Sequence, residues 1–105
     1  MGTIKTGDIF VATWGYEQTN ADFFQVINVG KKSVKVRHIK KKTIESPAGS
    51  MSGYASPIKN AFDSDVKTKR LRYSSILNNW MFKAEDSMGD AEKWDGKPVN
   101  VSWYG

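Results

Sequence analysis

The sequence predicts a small, mainly β domain of barrel type, and three observations carry that expectation. Short runs rich in Val, Ile, Phe and Trp are separated by Gly-, Asn- and Ser-bearing turns from residue 8 to residue 39. One of them, Val34-Lys35-Val36-Arg37, shows the two-residue alternation of a half-buried strand. A chain of 105 residues, 39% hydrophobic with four Trp, four Tyr and five Phe, has material for one modest core and one domain, 1–105.

The elements follow in order. Asp8-Ile9-Phe10-Val11-Ala12-Thr13-Trp14 is rich in strand formers and opens after Gly7. Residues 15–22 read as a polar loop with turn residues at both ends. Phe23 to Val29 is a second strand, apolar on both faces, and Gly30-Lys31-Lys32 makes a tight connection to a third at Ser33 to Ile39. Pro47, Gly49, Gly53 and Pro57, set among Ser46, Ser50, Ser52 and Ser56, predict a long flexible loop over about 43–65. Loops of that length in a compact domain are usually functional or mobile. Strand character returns at Val66 to Tyr73. Ser75 to Ala84 fits helix or strand spacing, and the acidic stretch Glu85 to Glu92 reads as a short helix or loop. Asp95-Gly96 is a hairpin dipeptide between Glu92–Trp94 and Pro98–Trp103, where Val99, Val101 and Trp103 share a face. Five or six short strands joined by tight turns suit an SH3-like barrel best and an OB-like barrel next.

Charge is distributed unevenly. Residues 31–72 hold twelve Lys or Arg against three acids, so the net charge of +5 divides into +9 in this segment and −4 outside it. Such an excess is the electrostatic footprint of a surface that meets phosphate or another polyanion. The candidate nucleic-acid-binding residues are Lys31, Lys32, Lys35, Arg37, Lys40, Lys41 and Lys42, with a second cluster at Lys67, Lys69, Arg70 and Arg72. Each phosphate they neutralise would release condensed counterions. Lysines also guard strand edges against pairing, which is the plainer role for such a row. Trp14 and Tyr16 flank Gly15 and are the candidate stacking platforms for bases, because every base has a π-face. The other large aromatics are expected in the core. Few groups suited to reading base edges are evident, so sequence specificity is expected to be low.

No catalytic machinery is legible. The absence of cysteine excludes disulfides, thiolate metal sites and a cysteine nucleophile, and a reducing cytoplasm is the natural home. The one histidine, His38, lies in line with Val34 and Val36, as expected of a half-buried strand residue rather than a general base. Asp63, Asp65 and Glu45 are the acids within the basic segment, and Asp-Ser-Asp is too common a spacing to define a Mg²⁺ site. There is no phosphate-binding loop and no dinucleotide fingerprint. The expectation is a non-enzymatic protein with no cofactor and no metal. No apolar run approaches the ~20 residues that span a bilayer, so no membrane partner is expected.

Two blocks carry a family resemblance. Gly7-Asp8-Ile9, Trp14-Gly15-Tyr16-Glu17-Gln18-Thr19-Asn20 and Phe23-Phe24-Gln25-Val26 form the opening block. Lys93-Trp94-Asp95-Gly96-Lys97-Pro98-Val99 and Ser102-Trp103-Tyr104 form the closing one. Together they resemble a family of small, mostly uncharacterised proteins of bacteriophages and other bacterial mobile elements. The resemblance implies a phage-type protein acting in the bacterial host cytoplasm and implies no catalytic residues. Two functions then compete. One is a low-specificity module for DNA or RNA. The other is an inhibitor or modulator of a host protein, such as a defence or nucleic-acid enzyme, which either meets an acidic surface with the basic face or docks the acidic segment Glu85 to Asp95 as a nucleic-acid mimic.

Overall fold

The computed structural model describes residues 4–15, 19–45, 52–84 and 88–102. Among these residues nine strands, all antiparallel to their partners, make one continuous sheet: β1 (Ile9–Trp14), β2 (Asn20–Val29), β3 (Ser33–Glu45), β4 (Ser52–Phe62), β5 (Lys67–Arg70), β6 (Arg72–Ser74), β7 (Asn79–Lys83), β8 (Asp90–Lys93) and β9 (Val99–Ser102). The order across the sheet is β6-β7-β8-β1-β2-β3-β4-β9, with β5 also on β3. β5 and β6 are one run of chain interrupted at Leu71. β5 bonds β3 and β6 bonds β7, so the pairings come back on themselves and the sheet curls as a barrel does. The small, mainly β class expected from the sequence is therefore what the chain adopts. Among the described residues no helix is present, and so none long and apolar enough to cross a membrane.

The two central strands explain the arrangement. Alternate side chains of a strand point to opposite faces, and β1 and β2 are apolar on both. Phe10, Ala12, Phe24 and Val26 turn to the inside of the curl and meet Val34, Val36, Phe82, Ala84 and Ala91. Ile9, Val11, Ala21 and Phe23 turn the other way and are covered by Ile39, Ala55 and Val101 from β3, β4 and β9. The barrel core holds an aromatic trio, with Phe82 centred 4.7 Å from Phe10 and 5.8 Å from Phe24. Trp94 closes the second core edge-on to Phe23 at 6.0 Å. The buried Gln25 is satisfied by Asn60, whose Oδ1 accepts from Nε2 and whose backbone N–H donates to Oε1, both at 2.8 Å.

Four expectations are corrected. The 43–65 segment is not a long loop: β3 runs on to Glu45, and β4 pairs with it from Gly53 opposite Glu45 to Phe62 opposite Ile39. Residues 46–51 lie outside the described ones. The Pro- and Ser-rich composition misleads here because β3 offers a long edge for hydrogen bonding, and Pro57 sits beside a register shift, where a missing N–H is tolerated. The helix considered for residues 85–92 is replaced, from Asp90 onward, by β8, which pairs with both β1 and β7. Residues 15–22 are shorter as a loop than expected, since β2 begins at Asn20. Asp95-Gly96 does form a turn, with Gly96 at φ 89° and Asp95 Oδ1 accepting from the Lys97 N–H at 2.9 Å. It is no hairpin, however, because β8 goes to β1 while β9 goes to β4. Tertiary packing of Val99 and Val101 on the second core outweighs the local turn signal. Trp103 lies outside the described residues.

The β3–β4 pairing rests on one glycine. A Cβ on Gly53 would lie 2.2 Å from the Ile44 carbonyl oxygen, and backbone cannot swing aside as a side chain can. Gly53→Ala is expected to destabilise the fold by about 1–3 kcal/mol, read as a fall in the urea midpoint at unchanged slope.

Candidate nucleic-acid interface and an acidic–histidine cavity

The candidate cations do not form one face. In β3 the alternation sends Val34, Val36 and His38 inward, leaving Lys35 and Arg37 on the outer side. Residues directly opposite in an antiparallel pair share a face. Arg70 lies opposite Ser33 and so joins Lys35 outside, whereas Lys67 and Lys69 lie opposite Val36 and Val34 and point to the barrel side. The second cluster is thus divided, with Lys67 and Lys69 on one face and Arg70 on the other, because strand alternation separates neighbours that composition lumps together. Arg72 is engaged by Asp90 at 2.5 Å.

Two further candidates are held by the protein itself. Arg37 donates from Nε to the Ser64 carbonyl at 2.7 Å, and its guanidinium lies 4.4 Å from the centre of the Phe62 ring. Lys41 donates to the Ala21 carbonyl at 2.5 Å. Four cations remain at one corner. Lys31 and Lys32 form the β2–β3 turn, Lys35 follows on β3, and Arg70 ends β5. The corner is fastened by the Leu71 N–H donating to the Lys32 carbonyl at 2.9 Å. Among the described residues no acidic side chain forms an ion pair with any of the four. Lys40 and Lys42 are exposed about 20 Å further along β3, at ~3.3 Å per residue.

Trp14, one of the two aromatic candidates, is not beside that corner. Trp14 ends β1 opposite Asn20, at the end of the sheet where β3 carries Lys41. It is half-buried, and its indole N–H donates to Asp22 Oδ2 at 2.5 Å. That bond fixes the ring as part of the wall rather than as a free platform. Tyr16 lies outside the described residues.

At the barrel mouth the fold assembles a group that sequence reasoning passed over. A cavity of about 340 Å³ is lined by Asp22, Phe24, Val36, His38, Asp63, Ser64, Lys67 and Met88. His38 Nε2 lies 2.8 Å from Asp22 Oδ1, and Nδ1 lies 2.5 Å from Asp63 Oδ1. The hydrogen bond to Asp22 raises the His38 pKa above its ordinary 6.5, burial opposes this, and Asp63 adds to the rise by bond and by charge. The Asp22 carboxyl is pushed below its ordinary value, chiefly by His38 and, against the cost of burial, also by Trp14 and the charge of Lys41. His38 is thus the half-buried strand residue expected from its alignment with Val34 and Val36. What the sequence left unread was Asp22, placed in a loop although it shares parity with Phe24 and Val26. Asp63 is engaged by His38, and among the described residues no group of three His, Asp or Glu side chains converges as metal ligands.

Comparison with protein-family models, with curated proteins and with solved structures finds no match.

Proposed function

We propose that this protein is a non-enzymatic, phage-type binding module that holds the phosphates of DNA or RNA on the corner formed by Lys31, Lys32, Lys35 and Arg70. One observation supports the reading above the rest: four cations meet at one corner and no acid of the described residues neutralises them. The strongest acidic group of the barrel, Asp22 with Asp63, is turned instead onto His38 inside the mouth. Lys40 and Lys42 are further exposed cations towards the other end of β3. Contacts to phosphate fix position and carry no sequence information, so affinity is expected to vary little between sequences of equal length.

The test is fluorescence anisotropy with short single- and double-stranded DNA and RNA, titrated with salt. Micromolar or tighter binding with a steep log–log salt slope is the expected result. Lys40→Glu with Lys42→Glu should lower that slope by about 0.7–0.9 for each contact removed. Absence of binding at low salt overturns the reading. The same cations would then face an acidic protein surface, and the search passes to capture of a host protein.

A further inference from the structure

The segment between β4 and β5, residues 63–66, is tied to β3 at one place. The Asp63 N–H donates to the His38 carbonyl at 3.0 Å, and the His38 N–H donates to Ser64 Oγ at 2.8 Å. Arg37 reaches the Ser64 carbonyl, and the His38 ring meets the Asp63 carboxylate. This connector leads directly into β5, whose pairing with β3 brings the curl of the sheet round. We propose that Asp22, His38 and Asp63 form a proton-operated clasp. With protons on both ring nitrogens, His38 fastens the 63–66 connector to β2 and β3, and loss of one proton releases the connector and loosens β5.

The geometry requires this. Both ring nitrogens face carboxylate oxygens, so both must carry protons if both contacts are to attract. A neutral imidazole has one N–H, and its other nitrogen then presents a lone pair to an anion at hydrogen-bonding distance. Which contact yields is decided by the surroundings. Asp22 has a side chain 14% exposed, belongs to a central strand and is held also by Trp14 and near Lys41, whereas Asp63 is 34% exposed and belongs to a connector. The remaining proton therefore stays on Nε2 towards Asp22, and Asp63 is the group expelled. Of the described charges around the ring, Asp22 faces it from β2, Asp63 from the connector and Lys67 from β5 across the cavity. Lys41 acts on it through Asp22, and Arg37 lies next in the strand on the outer face. Phe24, edge-on to the ring at 5.4 Å, with Val36 and Met88, supplies the apolar remainder.

The sign follows from linkage. The folded-state pKa of His38 is raised, so the clasp contributes fully below the ordinary histidine value near 6.5 and is lost as pH rises through the folded value. The lowered Asp22 carboxyl sets the acid limit: its contribution is present above the ordinary 3.8 and lost as pH falls through the lowered value. The inference stands apart from the proposed function, because its readout needs no nucleic acid.

The experiment is an imidazole ¹⁵N titration of the whole chain by NMR, with amide exchange followed at residues 63–70 and corrected for the intrinsic pH dependence of exchange. Both ring nitrogens should read as protonated at pH 5.5. Protection at residues 63–70 should then fall on the order of tenfold per unit of pH across the His38 titration, while β1 and β2 change little. His38→Gln has no titration and should show weak protection at 63–70 at every pH. Asp63→Asn, the second variant should His38→Gln fail to fold, should lower the His38 midpoint and move the loss of protection with it. Protection that is flat through the His38 titration overturns the clasp, as does the same loss of protection in His38→Gln.

Discussion

Phe82→Ala is expected to lower the unfolding free energy by about 3–5 kcal/mol, the range for deleting a fully buried ring. Phe82 is 0% exposed, and its ring is the one that touches both Phe10 and Phe24 across the barrel interior. It belongs to β7, a strand otherwise only half-buried, so the neighbours have little apolar material with which to refill the space. A domain of this size has a total stability of roughly 5–15 kcal/mol, so the variant should lose a large share of it. The check is urea denaturation followed by tryptophan fluorescence, with Ile76→Ala as control. Ile76 is 94% exposed and its truncation should stay within about 0.5 kcal/mol of the parent. A loss at Phe82 as small as that at Ile76 would mean that the barrel interior is not a packed core.

Combined reversal of the cationic corner, Lys31→Glu, Lys32→Glu, Lys35→Glu and Arg70→Glu, is expected to abolish nucleic-acid binding at physiological salt while leaving the fold intact. Each phosphate contact to a single strand contributes about 0.7 to the log–log salt slope. Extrapolated from 1 M to 0.1 M salt, this is ~5-fold in affinity per contact and ~600-fold for four. Repulsion by the new carboxylates adds to the loss. Surface position makes the variant a clean one, since Lys31, Lys32, Lys35 and Arg70 are exposed and no ion pair among the described residues is broken. Anisotropy at fixed salt reads the affinity, and circular dichroism checks the fold. Reversal at Lys40 and Lys42 alone should cost less, because the neighbouring Lys41 is already bound to the Ala21 carbonyl. Equal losses from the two sets would move the main contact to the far end of β3.

β1, β2 and the first half of β3 were legible because runs of strand formers lie between Gly- and Asn-bearing turns, and in β3 because of the two-residue period of Val34 to Arg37. His38 could be placed on the Val34–Val36 face for the same reason. β4 and the first half of β8 were not legible. Their residues, Ser52-Gly53-Tyr54-Ala55-Ser56 and Asp90-Ala91-Glu92-Lys93, have weak strand propensity, and they are strands because β3 and β1 present unpaired edges to them. The Asp95-Gly96 turn shows the converse, a correct local reading joined to the wrong partner strands.

The functional residues divide along the same line. The cationic excess of residues 31–72 is a property of the sequence, since charge counts need no fold. Which cations stand unneutralised is a tertiary matter. It depends on strand parity, which sends Lys67 and Lys69 inward, and on Ser64, Ala21 and Asp90, which engage Arg37, Lys41 and Arg72. The Asp22–His38–Asp63 group is wholly tertiary. Its members are separated by 16 and 25 positions and meet because the β2–β3 register sets Phe24 opposite His38 while the connector crosses their end. Local chemistry decides which residues are apolar, which are charged and where the chain turns; long-range hydrogen bonding decides which of them stand together.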